Sequence, residues 1–357
     1  MFWNFFKRGP KRFLGVDIGT SSIRVIELKR GNKKHLLENY GEFQISSTSD
    51  KSFRIFEKNS LLLSDEEVSD AIISIRSEAG IETKEANFSI PDFSSFFITL
   101  DLPIMRKDEL YEAVKYEARP YIPLPDNEIT LDWVITEGGV SKTPIKVLVV
   151  AIPNGVVSQY QRIAQNSGLD LKLLEPEVFA LARNVSGEDK EKKNLGMIDV
   201  GARSTTCSIL EKGVLKISHS FNVAGNQLTE TLAQSLNIDY NKANELKEKQ
   251  GIIMKEGSNE KVKDILLPLI DSILEEIKKA FRGFYKKEGK EIDKVVLTGG
   301  ISFLPGLKDY FSSELKKEVE ILNPFSNLSY PPVLEQTLKE KAPVYAVAVG
   351  AALKGFE

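Results

Sequence analysis

The opening of the chain predicts a three-stranded meander, because apolar runs are separated by turn residues. The same order of strands and turns returns in the second half of the chain. The six predicted strands cover residues 13–18, 23–29 and 36–45, and then 195–200, 204–211 and 214–221. A repeat on this scale predicts a duplicated architecture, with one sheet in each half of the chain.

The segments around the two meanders predict helices and a separate unit. Acids that follow Ser64 begin an amphipathic helix that ends at Gly80, and a strand over 86–90 comes next. Residues 93–167 then change in character, with an aromatic strand, two helices, a proline-rich turn and two more strands, which predicts a small α+β insert. After the second meander, helical periodicity over 226–289 predicts a cap on the second half.

Each meander begins with the same short motif. An apolar strand is followed by Asp17, a branched residue, Gly19 and hydroxyl residues, and the second copy has Asp199 and Gly201 in the same order. Backbone N–H groups and hydroxyls beyond such a turn can bind phosphate oxygens, and the Asp can hold a hydrated Mg²⁺ ion. One copy alone also fits an ordinary hairpin. Two copies favour a pair of phosphate clamps that hold a nucleotide between two lobes.

Composition narrows the classes of function. The chain has 357 residues, enough for two lobes, and its net charge of −3 gives no field that attracts nucleic acid. The single cysteine, Cys207, excludes an internal disulfide, and the two histidines, His35 and His219, are too far apart in sequence for the usual zinc-site spacings. No apolar run approaches the roughly 20 residues that span a bilayer. We therefore expect a cytoplasmic protein that does not bind nucleic acid.

Residues 1–12 combine aromatic and cationic side chains. Such a segment predicts peripheral contact with a membrane surface, where the rings insert at the interface and the cations meet anionic lipid. The alternative is a tail that docks on the protein's own surface or has no fixed structure.

The order of these motifs resembles the actin, Hsp70 and sugar-kinase superfamily over nearly the whole chain. The resemblance implies an actin-like, ribonuclease H-like α/β fold with two lobes, duplicated sheets and an α+β insert in the first lobe. The implied segments are 13–92, 168–190 and 343–357 for the first lobe, 93–167 for the insert, 194–225 and 290–342 for the second lobe, and 226–289 for its helical cap.

The resemblance also implies which residues bind ATP and Mg²⁺. Asp17 and Asp199 are the implied metal ligands. Asn244 and Lys247 are implied at the ribose, although relatives often carry Glu where this chain has Asn244, and a plain surface helix is the alternative there. The implied nucleotide-binding residues are Asp17, Gly19, Thr20, Ser21, Arg24, Asp199, Gly201, Ala202, Ser204, Thr205, Asn244, Lys247, Gly299 and Gly300.

Within the superfamily, the chain resembles the FtsA family and, more closely, the PilM family of type IV pilus assembly. The segments that carry the PilM resemblance are 15–24, 119–125 and 167–170. It implies a protein recruited to the inner face of the inner membrane, where it clasps the N-terminal cytoplasmic peptide of the membrane protein PilN. Contacts with other pilus assembly proteins and self-association are implied as well. We expect the aromatic strand over 93–100 to form the edge of the peptide groove, with ordinary core packing as the alternative.

Hydrolysis of the nucleotide has a single candidate residue in the sequence. A fast ATPase needs a group that orients water at the γ-phosphate, and Glu175 is the acid that fits this position. Its alternative role is a salt bridge at the junction of strand and helix, so we expect at most slow ATPase activity. Two other functions stay open, an FtsA-like division protein that polymerises at the membrane and a small-molecule kinase. The first lobe offers no clear acid for a kinase substrate loop.

Overall fold

The structure is a computed structural model that describes residues 11–44, 56–57, 60–61, 64–139, 141, 143–185, 192–254 and 260–357. The segment 1–12, predicted to contact membrane, lies outside these ranges apart from Lys11 and Arg12. Within the described ranges, no helix is both long enough and apolar enough to cross a membrane.

The strands and helices are numbered in chain order. The strands are β1 (Arg12–Ile18), β2 (Ser22–Lys29), β3 (His35–Gln44), β4 (Phe56–Glu57), β5 (Ser60–Leu61), β6 (Glu85–Ile90), β7 (Phe96–Leu102), β8 (Ile129–Glu137), β9 (Ile145–Pro153), β10 (Asp170–Pro176), β11 (Asn194–Val200), β12 (Thr205–Glu211), β13 (Val214–Phe221), β14 (Lys294–Thr298), β15 (Glu318–Ile321) and β16 (Leu328–Ser329). The helices are α1 (Asp65–Glu78), α2 (Lys107–Ala118), α3 (Asn154–Asn166), α4 (Glu177–Asn184), α5 (Gly225–Leu236), α6 (Tyr240–Gln250), α7 (Glu260–Glu288), α8 (Leu307–Leu315) and α9 (Glu335–Lys354).

Two large sheets repeat one pairing pattern. The first has the order β10-β6-β1-β2-β3-β16 and the second the order β13-β12-β11-β14-β15. In each, three sequential strands form an antiparallel meander, and the strand that carries the Asp motif pairs on its other side with a parallel strand, β6 or β14. The predicted duplication of the sheets is confirmed, and it places the two motifs at equivalent ends of their sheets.

The predicted insert forms a sheet of its own, in the order β7-β9-β8. One face packs on α2, where Leu110 and Val114 are buried with the strand residues Ile98 and Val147. From the other face, Leu148 joins a core cluster that α4, α9 and the strands of the second sheet share. The insert therefore contacts both halves of the molecule.

The helices α4 and α9 cross between the two large sheets at very short range. A Cβ atom added at Gly350 of α9 would lie 1.9 Å from the carbonyl oxygen of Ala180 in α4. Asn184 of α4 donates a hydrogen bond of 2.7 Å to the carbonyl oxygen of Ala346. No larger residue therefore fits at position 350 of this crossing.

The helix α1 forms where the sequence predicts it, for a local reason. Ser64 Oγ accepts a 3.1 Å hydrogen bond from the Glu67 N–H, and Glu67 Oε2 accepts one of 2.7 Å from the Ser64 N–H. This capping box satisfies donors that the first turn leaves unpaired. Val68 and Ile72 are fully buried under the first sheet, and each such burial stabilises the fold by about 2 kcal/mol.

Candidate functional site

A cleft of about 620 Å³ lies between the two large sheets, and both motifs open into it. Residues that the sequence predicted for nucleotide binding line it from both sides. They are Asp17, Gly19, Thr20, Ser21, Arg24, Asp199, Gly201, Ala202, Ser204, Asn244, Lys247, Gly299 and Gly300. Two predicted residues, Thr205 and Glu175, are not among the cleft-lining residues.

The first loop, which joins β1 to β2, and the second loop, which joins β11 to β12, make the same backbone turn. The N–H of Gly19 donates to the Ser22 carbonyl at 3.0 Å, and the N–H of Gly201 donates to the Ser204 carbonyl at 3.0 Å. Neither glycine has a positive φ. A Cβ at Gly19 would lie 3.2 Å from the Ser22 oxygen, and one at Gly201 would lie 3.1 Å from the Ser204 oxygen. The glycines therefore allow a close carbonyl contact rather than a left-handed backbone.

The helix α5 braces the second loop. The N–H groups of Gly225 and Asn226 donate hydrogen bonds of 3.0 and 2.7 Å to the carbonyl oxygens of Gly201 and Ala202. Because these N–H groups belong to the first turn of α5, they have no partner within that helix. The carbonyl oxygens of the loop thus pair with N–H donors at the start of α5, and these hydrogen bonds fix the loop backbone that faces the cleft.

In the first loop, Asp17 is buried and paired. Arg24 faces it across β1 and β2 and donates to Asp17 Oδ2 at 3.2 Å and to Glu42 Oε1 at 3.0 Å. Lys341 of α9 adds a 3.3 Å contact to Glu42. Burial raises the pKa of Asp17 above its ordinary value, and Arg24 partly opposes that shift. Asp17 Oδ1 is buried and has no hydrogen-bond partner among the described residues.

In the second loop, Asp199 faces Thr206 across β11 and β12 instead of an arginine. Burial, together with the negative charge of Asp17 and against the opposing effect of Arg24, raises the pKa of Asp199 to about 7. Both carboxylates line the same cleft, and desolvation by burial raises the pKa of each.

These two carboxylates fit a hydrated Mg²⁺ ion. Mg²⁺ keeps several waters and takes one or two carboxylates, and Asp17 offers an oxygen without a partner in the described ranges. No group of three or more His, Cys, Asp or Glu side chains in those ranges is placed to hold a metal on its own. A cation here therefore needs water or phosphate oxygens as its other ligands.

The paired glycines after β14 differ from each other. Gly299 has a φ of +86°, and a Cβ there would lie 2.5 Å from Asp199 Oδ1. At Gly300 the nearest atom to an added Cβ is Val344 Cγ1, at 3.9 Å. Only position 299 therefore requires a glycine, because of its positive φ and the close approach of Asp199.

On the helix α6, Asn244 and Lys247 lie on one face, as their spacing predicts. Lys247 is 4% exposed. Its Nζ donates to Asn244 Oδ1 at 2.8 Å and to Thr229 Oγ1 at 2.7 Å. Burial lowers the pKa of Lys247 to about 8. The pair forms the wall of the cleft on the side of the cap, bonded to each other and to α5.

A model of the family described as type IV pilus assembly protein PilM matches residues 15–356. The chain belongs to the PilM family. A solved PilM-PilN type IV pilus biogenesis complex is similar to it with a TM-score of 0.86 at 22% identity, over 98% of this chain and 100% of that chain. The predicted family and the predicted actin-like fold are both confirmed.

More distant relatives share the fold of this PilM-family chain. MreB5 of Spiroplasma citri bound to AMPPNP is similar with a TM-score of 0.57 at 13% identity, over 97% of this chain and 96% of that one. The cell division protein FtsA of Pseudomonas aeruginosa is 21% identical over 231 residues, which is 59% of this chain and 54% of that FtsA. The chain thus spans about half the length of this FtsA.

The predicted site residue Thr205 lies outside the cleft, on the other face of the sheet. It pairs with Val200, whereas Asp199 pairs with Thr206, and directly paired residues share a face. Thr205 is fully buried, and its Oγ1 donates to the Val223 carbonyl at 2.6 Å. We therefore correct its assignment from a phosphate contact to a structural hydrogen bond.

The predicted catalytic residue Glu175 also lies outside the cleft. It is on the edge strand β10, two strands from β1 in the sheet order. Arg183 donates to Glu175 Oε1 at 2.7 Å and to Glu175 Oε2 at 3.0 Å. The geometry supports the alternative role, a salt bridge at the junction of strand and helix, and gives no support to the catalytic one.

Among the cleft-lining residues that the sequence analysis did not predict are Glu177, Arg203 and Lys341. Glu177, the first residue of α4, lines the cleft, and burial raises its pKa well above the ordinary value, with added repulsion from Asp17. Its sequence signal was its place as the second acid around Pro176. Arg203 lies within the second motif, where the resemblance implied no role for it. Lys341 had no local signal, because only the fold brings the start of α9 to the first loop.

Proposed function

We propose that this PilM-family chain binds ATP with Mg²⁺ in the cleft and that the nucleotide sets the angle between its lobes. The observation that carries the proposal is that two equivalent loops, one from each sheet, face a single cleft. Each loop offers N–H groups and hydroxyls. The AMPPNP-bound MreB5 structure, which shares the fold, supports the same class of ligand.

The charges around the loops suit a triphosphate and a divalent cation together. Arg24, Arg203 and Lys341 line the cleft and can neutralise phosphate oxygens. Asp17 and Asp199 repel each other in the absence of a cation, so we assign them as ligands of Mg²⁺. When bound, the ion supplies positive charge between the carboxylates and the phosphates.

The remaining parts of the nucleotide have natural places. We assign Gly299 and Gly300 to the adenosine, because neither has a side chain that would keep the purine from the backbone. Asn244 and Lys247 are assigned to the ribose. In the structure they bond to each other, so binding of the sugar requires them to exchange that contact for its hydroxyls.

We further propose that the chain clasps the N-terminal cytoplasmic peptide of a PilN-type inner-membrane partner, which recruits it to the inner face of that membrane. The similar PilM-PilN complex supports this partner. The strand β7 remains our proposed groove edge. Phe96 packs on the insert's own core, and Phe97 lies with its ring centroid 6.4 Å from that of Phe179. Contacts with other pilus proteins and self-association remain part of the proposal.

The test is peptide binding in three nucleotide states. The N-terminal peptide of the PilN encoded in the same genome is labelled, and its affinity is measured by fluorescence anisotropy without nucleotide, with ADP and with ATP plus Mg²⁺. A ligand shifts a conformational equilibrium only if it prefers one state, and typical couplings change affinity about 5- to 150-fold. We expect a difference in this range. Equal affinities in all three states would contradict the coupling.

Hydrolysis, if the chain performs it, requires a group inside the cleft. We now assign that role to Glu177, because it lines the cleft whereas Glu175 does not. We retain the expectation of at most slow turnover. The family match over residues 15–356 favours pilus assembly over the FtsA-like alternative. Sedimentation with ATP and a lipid surface tests for the polymers that the alternative requires.

A further inference from the structure

The second loop has the cationic residue Arg203 at its tip, where the first loop has the hydroxyl residue Ser21. The strand registers align Asp199 with Asp17 and Gly201 with Gly19, so Arg203 occupies the position of Ser21. Both tip residues line the cleft. The first loop keeps its own arginine on β2 instead, bonded to acids. The second loop thus presents its guanidinium from the turn itself.

The guanidinium of Arg203 lies over an aromatic ring of the opposite half of the molecule. Its central carbon is 4.5 Å from the ring centroid of Phe93. Phe93 also lines the cleft and packs, partly buried, against the core of the first sheet. It belongs to the short 3-10 helix Asp92–Ser94, which joins β6 to β7. This segment, the root of the insert, is where the insert leaves the first sheet.

The root is tied to the start of α4 by a reciprocal pair of hydrogen bonds. The Asp92 N–H donates to Glu177 Oε2 at 3.4 Å, and the Val178 N–H donates to Asp92 Oδ1 at 3.1 Å. Asp92 therefore caps a helix that has no side-chain cap of its own. Of these two acids, Glu177 lines the cleft, so the root is bonded directly to a side chain that faces the proposed nucleotide site.

Beyond the root, the insert also rests on the second half of the molecule. Thr99 Oγ1 donates to the Lys216 carbonyl at 3.0 Å, and Lys216 Nζ donates to the Thr136 carbonyl at 3.1 Å. Lys146 of the insert pairs with Glu288 at the end of α7 at 2.8 Å. A movement of the second loop relative to the root would therefore also move the residues on which the insert's sheet rests.

A guanidinium group can stack on an aromatic ring and donate hydrogen bonds to a phosphate at the same time. Its face stacks on the ring, whereas its N–H donors point outward in the plane. A phosphate held by the second loop can thus accept hydrogen bonds from Arg203 without breaking the contact with Phe93. Lysine is less suited to both contacts, because its ammonium has no planar face that stacks on the ring while its donors point outward.

We propose that Arg203 is a phosphate ligand and that Phe93 is its positioning residue, so that phosphate binding in the cleft stabilises the root of the insert. This inference rests on the proposed nucleotide binding. It deepens that proposal by naming the contact that links the nucleotide to the partner-binding insert.

The test combines calorimetry of ATP with Mg²⁺ and hydrogen exchange over residues 91–102 on the full chain. In the wild type we expect ATP to slow exchange in this segment. Arg203→Gln should weaken ATP binding by about 10- to 100-fold, the range for a hydrogen bond to a charged group. At saturating ATP it should also lose the protection of the root. Arg203→Lys should recover part of the affinity and none of the protection.

Two further variants separate the phosphate contact from the relay. Phe93→Leu keeps apolar volume at the root and should weaken ATP binding less than Arg203→Gln does, yet lose the protection at saturating ATP, because the ring that orders the guanidinium is gone. Ser21→Ala, at the equivalent position of the first loop, should lower affinity but keep the protection at saturation.

The outcomes are distinguishable. Wild-type protein that gives no heat with ATP would overturn the proposed nucleotide binding and this inference with it. Wild-type binding with unchanged affinity in Arg203→Gln would overturn only the phosphate contact. Full protection of residues 91–102 in Phe93→Leu at saturating ATP would overturn only the relay.

Discussion

The first and second loops share a backbone turn but surround their aspartates with different charges. Asp17 is bonded to Arg24, which also holds Glu42. Asp199 faces Thr206 across its strands, and its pKa is raised to about 7 by burial and by Asp17. The local motif thus specifies the turn, whereas the neighbouring strands and helices specify the charge.

This difference assigns the loops complementary parts in the proposed binding. In the first loop, Asp17 is ion-paired with Arg24 before any ligand binds. This loop therefore has a cationic partner for its acid without a ligand. The second loop holds an acid that favours a cation and an arginine that faces the cleft from the turn. We therefore expect the second loop to respond more strongly to Mg²⁺ and to phosphate.

The largest effect should come from the backbone beneath the second loop. Gly299→Ala places a Cβ 2.5 Å from Asp199 Oδ1 at a φ of +86°. We expect a loss of at least about 3 kcal/mol in the free energy of unfolding and no measurable ATP binding. Gly300→Ala is the adjacent control and should stay within about 0.5 kcal/mol of the wild type. Equal losses in urea melts would show that Gly299 is not specially constrained.

Glu175 and Glu177 also differ in their surroundings. Glu175 is ion-paired with Arg183 outside the cleft, whereas Glu177 lines the cleft. Glu175→Ala leaves Arg183, which is 12% exposed, without its bidentate partner, so we expect a loss of about 3 kcal/mol in stability. The rate of phosphate release per folded molecule should not change. Glu177→Gln should keep stability and lower any phosphate release that the wild type shows. Loss of phosphate release in a folded Glu175→Ala sample would restore the original assignment.

Neutralising the two aspartates should change stability by different amounts, because burial raises the pKa of both but, among the described residues, only Asp17 has a cationic hydrogen-bond partner. Asp199→Asn removes a charge whose burial is unfavourable, and should raise the free energy of unfolding at pH 8 without Mg²⁺ by about 1–2 kcal/mol. Asp17→Asn also removes a buried charge but breaks the ion pair with Arg24, so any gain in stability should be smaller than for Asp199→Asn. Chemical denaturation of both variants in the presence of a chelator measures this. An equal or larger gain for Asp17→Asn would remove the distinction between the loops.

A pH-dependent effect concerns Lys247 of α6. The pKa of Lys247 is lowered from 10.5 to about 8, so between these values the unfolded state binds more protons than the folded state. Stability contributed by this group therefore rises with pH in that window, by about 1 kcal/mol per pH unit. Lys247→Met is the reference. Wild type minus variant should increase from pH 8 to 10 in urea melts, and a constant difference would mean that Lys247 is not desolvated.

The sequence predicted the turns and the sheets because their causes are local. An Asp, a Gly and hydroxyl residues after an apolar strand encode the loop wherever it lies. The wrong or missing assignments depend on distant partners. Glu175 shares a sheet face with Asp17 but lies two strands away, and Thr205 turns away because its register pairs it with Val200. Lys341 reaches the cleft only once α9 is in place.

The central claim is that both loops grip one triphosphate through one cation. A double-mutant cycle with Asp17→Asn and Asp199→Asn, measured by calorimetry of ATP with and without Mg²⁺, tests this directly. We predict that either substitution removes most of the Mg²⁺-dependent affinity and that the pair adds little more, a coupling of at least about 1 kcal/mol. Strictly additive losses, or affinity that does not depend on Mg²⁺ in the wild type, would contradict the account.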